Sequence, residues 1–155
     1  MTTTTPATTP TEDKDSFRST LRMEAPPDAV LAALGTPAAV ARWWGPATGS
    51  AEVGGTMVVS FLDGRQWIVL DVVEPEGAGR VVWSVRETPL TPEWDGTTIF
   101  FDVAPEGGGS VLSFRHQGLT PALQCFDMCH EGWTHYLASL VSYVETGVGQ
   151  PHRRD

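Results

Sequence analysis

Two histidines in the last third of the chain are the side chains best suited to chemistry in an apolar setting. His116 shares strand parity with Leu112 and Phe114 and is therefore predicted to point inward. His130 falls on the apolar face of a predicted C-terminal helix. Either imidazole could orient a ligand carbonyl or hydroxyl, or act as an acid/base. No nucleophile or second acid/base accompanies them, so the sequence favours a polar anchor over a catalyst.

Two cysteines, Cys125 and Cys129, lie four residues apart in the same predicted helix, with His130 next to the second. A Cys/Cys/His metal site can be drawn from them as a minority hypothesis. Structural zinc usually needs a second ligand pair, and the sequence offers none, so free buried thiols are the favoured interpretation. A dinucleotide fingerprint, a phosphate-binding glycine loop and a nucleophile elbow are all missing, and we expect no cofactor.

Aromatic side chains are the second feature, because the chain contains six tryptophans. Plain core packing would explain them, since aromatic residues dominate protein cores. The functional alternative is that some of them line an internal cavity for an apolar ligand. The predicted ligand-binding residues are Trp44, Trp83, Phe101, Phe114, His116, Phe126, Cys129, His130, Trp133 and Leu137.

One carboxylate is predicted to lie in an unfavourable place. Asp71 shares strand parity with Trp67 and Val73, and an inward carboxylate would need a partner to offset its desolvation. Arg86 or Arg115 could provide that partner if the strand contains a bulge. We predict no catalytic role for Asp71.

Charge and composition exclude several classes of function. The chain has 155 residues, 41% of them hydrophobic and 19% charged, which suits one globular domain. A formal net charge of -9 repels phosphate backbones and anionic membrane surfaces, so nucleic acid is not an expected partner. The sequence contains neither a membrane-spanning stretch nor the pattern of a secretory signal, and we expect a cytoplasmic protein.

Hydrophobic periodicity supplies the elements that must position these residues. Alternating residues predict a first strand over 16–25, and Pro27 and Thr36-Pro37 start two short helices. A meander of strands follows, and Thr120-Pro121 begins a long amphipathic helix that ends at Gly147. The predicted meander strands are 56–62, 66–74, 80–87, 97–104 and 110–117.

These elements predict an α+β helix-grip fold, in which a curved antiparallel sheet wraps around the long C-terminal helix and two short helices follow the first strand. Residues 1–14 are rich in threonine and proline and are predicted to be a disordered tail. The domain is expected to span residues 15–147, and residues 148–155 are expected to be a flexible C-terminal tail.

Four segments in the order of this topology resemble a known family. They are Ala41–Pro46, Trp94–Phe101, Phe114–Leu119 and Gly132–Leu137. The chain is similar to bacterial single-domain members of the activator-of-heat-shock-protein-ATPase family, within the SRPBCC (START and birch-allergen) superfamily. The likeness extends from Ser16 to Glu145.

The resemblance implies binding of something apolar, because the superfamily includes lipid carriers, hormone receptors and polyketide cyclases. The first hypothesis is a carrier or sensor of a hydrophobic small molecule such as a lipid, a polyketide or an aromatic compound. The second is a cyclase or dehydratase that uses His116 or His130. The third is a co-chaperone-like interaction module. A core filled by side chains would favour this third hypothesis. A homodimer is compatible with all three.

Overall fold

The computed structural model describes residues 16–61, 64–75, 78–89, 92–120 and 126–151. These residues contain seven strands, three helices and a single 3-10 turn at Pro92–Trp94. The order of the strands and helices is β1 (Ser16–Met23), α1 (Pro27–Leu34), α2 (Pro37–Val40), β2 (Ala47–Gly49), β3 (Thr56–Phe61), β4 (Gln66–Val73), β5 (Arg80–Glu87), β6 (Thr98–Glu106), β7 (Gly109–Gln117) and α3 (Phe126–Thr146).

The strands form one curved antiparallel sheet in the order β1-β7-β6-β5-β4-β3-β2. Sequence neighbours pair from β2 to β7, as predicted, and β1 closes the series by pairing with β7. The two edges of this sheet are therefore β1 and β2, and α1 and α2 carry the chain from one edge to the other. Strand β2 was not predicted, because its three residues are too few to produce an alternating pattern.

The two short helices begin as their prolines predict. Pro27 occupies the first turn of α1, and Thr36 caps α2 by accepting a hydrogen bond from the amide of Ala39 over 3.1 Å. Trp43 follows α2 and donates from Nε1 to the carbonyl of Ala33 in α1 over 2.9 Å. This bond fixes the two helices together and places the next residue, Trp44, against the inner face of the sheet.

The long helix α3 buries one stripe of side chains against the sheet, formed by Cys129, Trp133, Leu137 and Leu140. Gly147 follows the helix with a φ of 86°, and the chain then turns back along it. The amide of Gln150 donates to Ser139 Oγ over 2.6 Å. Residues at the start of the predicted C-terminal tail thus contact the helix. The domain boundaries stay a prediction, because 1–15 and 152–155 lie outside the described residues.

The expected inward orientation of Asp71 is wrong. The inner side of β4 carries Ile68, Leu70 and Val72, and the alternating partners, Asp71 among them, face outward. The pairing of β4 with β5 shifts register between Val69 and Leu70, but the outward orientation of both Asp71 and Arg86 is what allows them to pair. On the outer face Asp71 pairs with Arg86, where solvent reduces the desolvation penalty.

Candidate ligand-binding site

A group of aromatic side chains lies between the inner face of the sheet and α3. We call it the aromatic cluster and define it as Trp44, Trp83, Phe101, Phe114 and Trp133. Each of these residues is at most 2% exposed. The centre of the cluster is Trp133, whose ring centroid lies 4.6 Å from that of Phe114 and 5.1 Å from that of Trp44. The structure thus brings five of the predicted ligand-binding residues together.

The rings of the aromatic cluster pack on one another. Trp44 stacks on Trp83 with centroids 6.0 Å apart and planes 11° apart, and Phe101 meets Trp83 edge-on at 4.9 Å. These are ordinary distances for favourable aromatic pairs. A cavity was expected here from the sequence, and in the structure the rings of the aromatic cluster contact one another. A ligand that binds between two of these rings must therefore separate them.

Two further predicted residues, Leu137 and Cys129, lie on the buried stripe of α3. The thiol of Cys129 accepts a hydrogen bond from Trp94 Nε1 over 3.2 Å. Among the described residues, no three histidine, cysteine or acidic side chains are grouped so that they could hold a metal ion. The predictions for Cys125 and for the side chain of Phe126 fall outside the part of the chain that the structure describes.

His116 points inward, as predicted, and both of its ring nitrogens have protein partners. Trp133 donates from Nε1 to Nδ1 over 3.0 Å. The other nitrogen, Nε2, lies 2.8 Å from Thr97 Oγ1. An indole N–H can only donate, so Nδ1 carries no proton and Nε2 donates to the threonine. The threonine hydroxyl in turn donates to the carbonyl of Trp94 over 2.6 Å.

The electrostatic state of His116 follows from its surroundings. The side chain is fully buried, and desolvation lowers its pKa from the ordinary 6.5 to about 3. The imidazole is therefore neutral near pH 7, and no lone pair or N–H of its ring is available for a ligand. The role of polar anchor predicted for His116 is not supported, because the protein itself satisfies the side chain.

The prediction that His130 reaches the interior is wrong. Its side chain is exposed, and its ring packs edge-on against Phe17 of β1 with centroids 5.1 Å apart. Cys129 lies in the buried stripe, and the next residue is rotated by about 100° around a helix axis. That rotation places His130 at the margin of the apolar face, above the edge strand.

Two residues that shape the site, Trp94 and Thr97, were not predicted from the sequence. The ring of Trp94 stacks on Trp133 with centroids 5.8 Å apart and planes 3° apart. Its backbone carbonyl accepts from both the amide and the hydroxyl of Thr97. Both residues belong to a segment that carried the family resemblance, Trp94–Phe101, and that likeness was the available signal.

One buried polar atom in the aromatic cluster lacks a partner. Within the described residues, Trp83 Nε1 makes no hydrogen bond, although the side chain is 0% exposed. Three other tryptophans of the interior donate to a carbonyl, a thiol and an imidazole, and they are Trp43, Trp94 and Trp133. An unpaired buried donor costs about 1–3 kcal/mol, so such atoms are uncommon in native structures.

A seven-stranded antiparallel sheet that holds one long helix on its inner face defines the helix-grip class of SRPBCC proteins. The chain belongs to the family described as activator of Hsp90 ATPase homolog 1-like protein, whose family model matches residues 24–145. The fold and the family predicted from the sequence are thus confirmed.

Several solved structures share the fold. The solution structure of the Aha1 dimer from Colwellia psychrerythraea is similar at a TM-score of 0.73 and 23% identity, over 86% of this chain and 98% of that chain. CalU16 from Micromonospora echinospora has a TM-score of 0.68 and 22% identity, over 87% and 76% of the two chains. DynU16, from the dynemicin biosynthetic locus, has a TM-score of 0.67 and 22% identity, over 87% and 49%.

At these identities the solved structures establish the fold alone. No curated protein matches the chain. In the described residues, no helix is both long enough and apolar enough to cross a bilayer.

Proposed function

We propose that this protein binds a hydrophobic small molecule between the inner face of the sheet and α3, as a carrier or a sensor. The ligand would occupy the region of the aromatic cluster and would accept a hydrogen bond from Trp83. The proposal includes the location and organisation expected from the sequence, namely a cytoplasmic protein with one domain over residues 15–147. A homodimer is compatible with it.

The unpaired N–H of Trp83 carries this proposal. It lies on β5 in the middle of the sheet, where the described chain offers no acceptor. A carbonyl or ether oxygen of a ligand would recover the cost of the unmade bond, and the surrounding rings would contact the apolar part of the molecule. Ring pairs that separate to admit a ligand behave as a cryptic pocket, which the ligand itself stabilises.

The neighbours in fold support a small molecule as the ligand. DynU16 is described as a putative protein in the dynemicin biosynthetic locus. The alternative of a cyclase or dehydratase receives less support. A histidine with a pKa of about 3 and two protein partners is a poor proton acceptor near neutral pH, and the exposed His130 lies at the margin of the apolar face of α3.

The test begins with native mass spectrometry of the purified protein beside its denatured mass. A titration of tryptophan fluorescence with fatty acids, flavonoids and aromatic polyketides follows. The decisive variant is Trp83→Phe, which keeps a ring and removes the N–H. The matched control is Trp67→Phe, which makes the same change on the outer face of β4, where the side chain is 36% exposed.

We expect Trp83→Phe to weaken the best ligand of the panel about tenfold, the effect of one lost hydrogen bond. Trp67→Phe should leave that affinity unchanged. A folded protein that retains no ligand and responds to no member of the panel would overturn the proposal.

That negative outcome would favour the second candidate, an interaction module. The observation behind this candidate is the contact between rings throughout the aromatic cluster, since a filled core needs no ligand. A relative of the same family fold forms a dimer, the Aha1 of Colwellia psychrerythraea. A purified protein without ligand would next be tested for self-association by analytical ultracentrifugation.

A further inference from the structure

The outer face of the sheet, opposite α3, carries one continuous row of side chains across five strands. In the pairing of β4, β5, β6, β7 and β1, each member of the row is the cross-strand partner of the next. Each member follows a residue that packs against the core, so its own side chain points outward. We call these residues the outer row, and they are Val73, Val82, Phe100, Arg115 and Arg18.

One end of the outer row is cationic. Arg115 on β7 lies directly opposite Arg18 on β1, and burial together with the charge of Arg115 lowers the pKa of Arg18. The guanidinium carbon of Arg115 lies 4.1 Å from the ring centroid of Phe100, which holds that side chain against the sheet. Within the described residues, the side chain of Arg115 makes no hydrogen bond and no ion pair. Its N–H donors are therefore open to an anionic group.

The arginines on either side of the outer row are neutralised by carboxylates. Arg80 pairs with Asp102 on one side of the row, and Arg86 pairs with Asp71 on the other. Each pair lies about 7 Å along the strands from the row, the distance between residues that share one face. The charge of Arg115 thus stands between two neutral margins, in a chain whose formal net charge is -9. Such a local reversal of sign favours an acidic partner at this point.

The other end of the outer row is apolar and open to solvent. Val73 is 40% exposed, and the amide of Gly54 donates to the carbonyl of the preceding residue, Val72, over 2.9 Å. That bond brings the turn containing Val53, which is 55% exposed, to the same end of β4. Two of the four exposed large hydrophobic side chains in the described part of the chain therefore lie at this end of the row.

The shape of the outer face selects the kind of partner. The sheet curves around α3, so its outer face is convex and cannot enclose a small molecule. Four steps of about 4.8 Å give the row a length of about 19 Å, which an extended peptide spans in about six residues. A phosphate backbone or an anionic membrane would also meet the flanking carboxylates and the negative charge of the whole chain.

We propose that the outer row is a docking surface for an acidic segment of a partner protein. A carboxylate of that segment binds Arg115, next to the charge of Arg18, and an apolar side chain about six residues away packs on Val73. The sheet separates this surface from the aromatic cluster. Docking on the outer row therefore goes beyond the proposed function and does not depend on a ligand in the interior.

The test is an NMR titration of the isotope-labelled full chain with the peptide Glu-Glu-Ser-Gly-Ser-Gly-Ser-Leu-Leu, which places carboxylates and apolar side chains at the required separation. A second peptide replaces both glutamates by lysine. The key variant is Arg115→Gln, which removes the charge. The matched control is Arg42→Gln, which removes the same charge from an exposed arginine after α2. Circular dichroism would verify that each variant folds.

We expect the glutamate peptide to shift the Arg115 Nε–H resonance and the Val73 methyl resonances saturably, and the lysine peptide to shift neither. Arg115→Gln should weaken the glutamate peptide about fivefold at low salt, while Arg42→Gln should leave its affinity unchanged. Arg115→Lys should keep most of the affinity, because it keeps the charge. Sodium chloride should weaken the wild-type complex, since the ionic contact is exposed.

The apolar end has its own variant, Val73→Thr, which keeps the branched shape of the side chain and replaces one methyl by a hydroxyl. This change should weaken the glutamate peptide about threefold. It should not affect a peptide in which serine replaces both leucines, because that peptide has no apolar contact to lose.

Three results would overturn the proposal. They are the absence of any shift along the outer row, equal affinities of Arg115→Gln and Arg42→Gln, and shifts confined to the arginine end. Self-association of the protein without peptide, abolished by Arg115→Gln, would assign the surface to a second copy and overturn the acidic partner segment. The titration of apolar ligands in the interior should be the same in Arg115→Gln and the wild-type protein, so none of these results decides the proposed function.

Discussion

Trp133 Nε1 donates a hydrogen bond to Nδ1 of His116 over 3.0 Å and thereby joins α3 to β7. This bond requires an unprotonated Nδ1, because the indole nitrogen has no lone pair to accept with. Protonation of His116 would thus oppose both the hydrogen bond and the burial of the side chain. Packing of the interior and the charge of this one residue are coupled.

The first prediction concerns acid stability. The pKa of His116 is about 3 in the folded protein and 6.5 without its surroundings, so between these values the unfolded chain binds more protons than the native one. The contribution of His116 to the free energy of unfolding is fully present above the unfolded pKa of 6.5 and decreases as the pH falls below it. Linkage predicts a loss of about 2 kcal/mol in the free energy of unfolding between about pH 6 and about pH 4.5.

Urea denaturation of the wild-type protein and of His116→Gln across that range would measure this contribution. The variant should be less stable at neutral pH, since it loses an optimised pair of hydrogen bonds. Its loss of stability on acidification should be smaller by about 2 kcal/mol, because every other titrating group is shared. If the free energy of unfolding changed equally with pH in the two proteins, that result would contradict a neutral, buried His116.

The second prediction tests the packing of Trp133. The side chain is 2% exposed and contacts rings from the sheet, from the segment that follows α2 and from the 3-10 turn. Trp133→Ala should cost about 3–5 kcal/mol of unfolding free energy, the range for a close-packed aromatic residue. The control is Trp67→Ala on the outer face, which should cost much less. A small loss at Trp133 would indicate that this ring borders open space.

Much of the fold was predictable because its signals are local. Alternation predicted β5 at the residues where it occurs, and proline with a threonine cap predicted the start of α2. The same parity argument placed His116 in the interior. The C-terminal helix was predicted from its periodic stripe, which fixed the inward direction of Trp133.

The candidate site was only partly predictable, because hydrogen-bond satisfaction depends on contacts between distant segments. The bond between His116 and Trp133 joins two elements, and parity alone cannot show that it exists. Trp83 was predicted as one inward tryptophan among several, and its missing partner appears only when every neighbour is placed. The prediction for His130 was wrong for a different reason, because the periodic pattern does not distinguish the margin of a helix face from its centre.

The third prediction concerns the outer face, where Arg86 Nη2 lies 2.6 Å from an oxygen of Asp71. The hydrogen bond from Arg86 lowers the pKa of Asp71, and Thr56 Oγ1 adds a second bond at 2.9 Å. Arg86→Gln should raise the pKa of Asp71 toward its ordinary value, as followed by carboxyl chemical shifts in an NMR titration. High salt should reduce the difference in the pKa of Asp71 between the wild-type protein and Arg86→Gln, because the ion pair is open to solvent.

The matched control for Arg86→Gln is Arg80→Gln, because Arg80 pairs with a different carboxylate, Asp102, on the same face. This control should leave the pKa of Asp71 unchanged. A carboxylate with a lowered folded pKa stabilises the protein above its unfolded pKa, and the contribution is lost as the pH falls through the folded value. A pKa of Asp71 that does not respond to Arg86→Gln would contradict this pairing.

The fourth prediction concerns Gly118, which follows β7 with a φ of 101°. A Cβ at this position would lie 2.6 Å from Thr97 Cγ2, and Thr97 is the hydrogen-bond partner of His116. Gly118→Ala should therefore combine backbone strain of about 1–3 kcal/mol with a shift of the threonine. The indole N–H resonance of Trp133 should move as well, because the imidazole would follow the threonine.

Gly54→Ala separates the two effects. Gly54 has a φ of 90°, and a Cβ added to it would meet no atom within 4 Å, so its alanine variant experiences strain without a clash. The Gly118 variant should lose more stability than the Gly54 variant, and only the Gly118 variant should change the Trp133 resonance. Similar losses of stability in the two variants, with an unchanged Trp133 resonance, would show that the position of Thr97 does not depend on its close approach to Gly118.

The last prediction tests the unpaired N–H of Trp83 without any ligand. Trp43 and Trp83 are both 0% exposed, but Trp43 donates to the carbonyl of Ala33 and Trp83 donates to nothing in the described residues. Trp43→Phe removes a made bond and strands a buried carbonyl, whereas Trp83→Phe removes a donor that has no bond to lose. Because both variants delete the same atoms, Trp43→Phe should lose about 1–3 kcal/mol more unfolding free energy in urea denaturation. Equal losses would mean that the Trp83 N–H is satisfied in solution, and the observation that carries the proposed ligand site would fall with it.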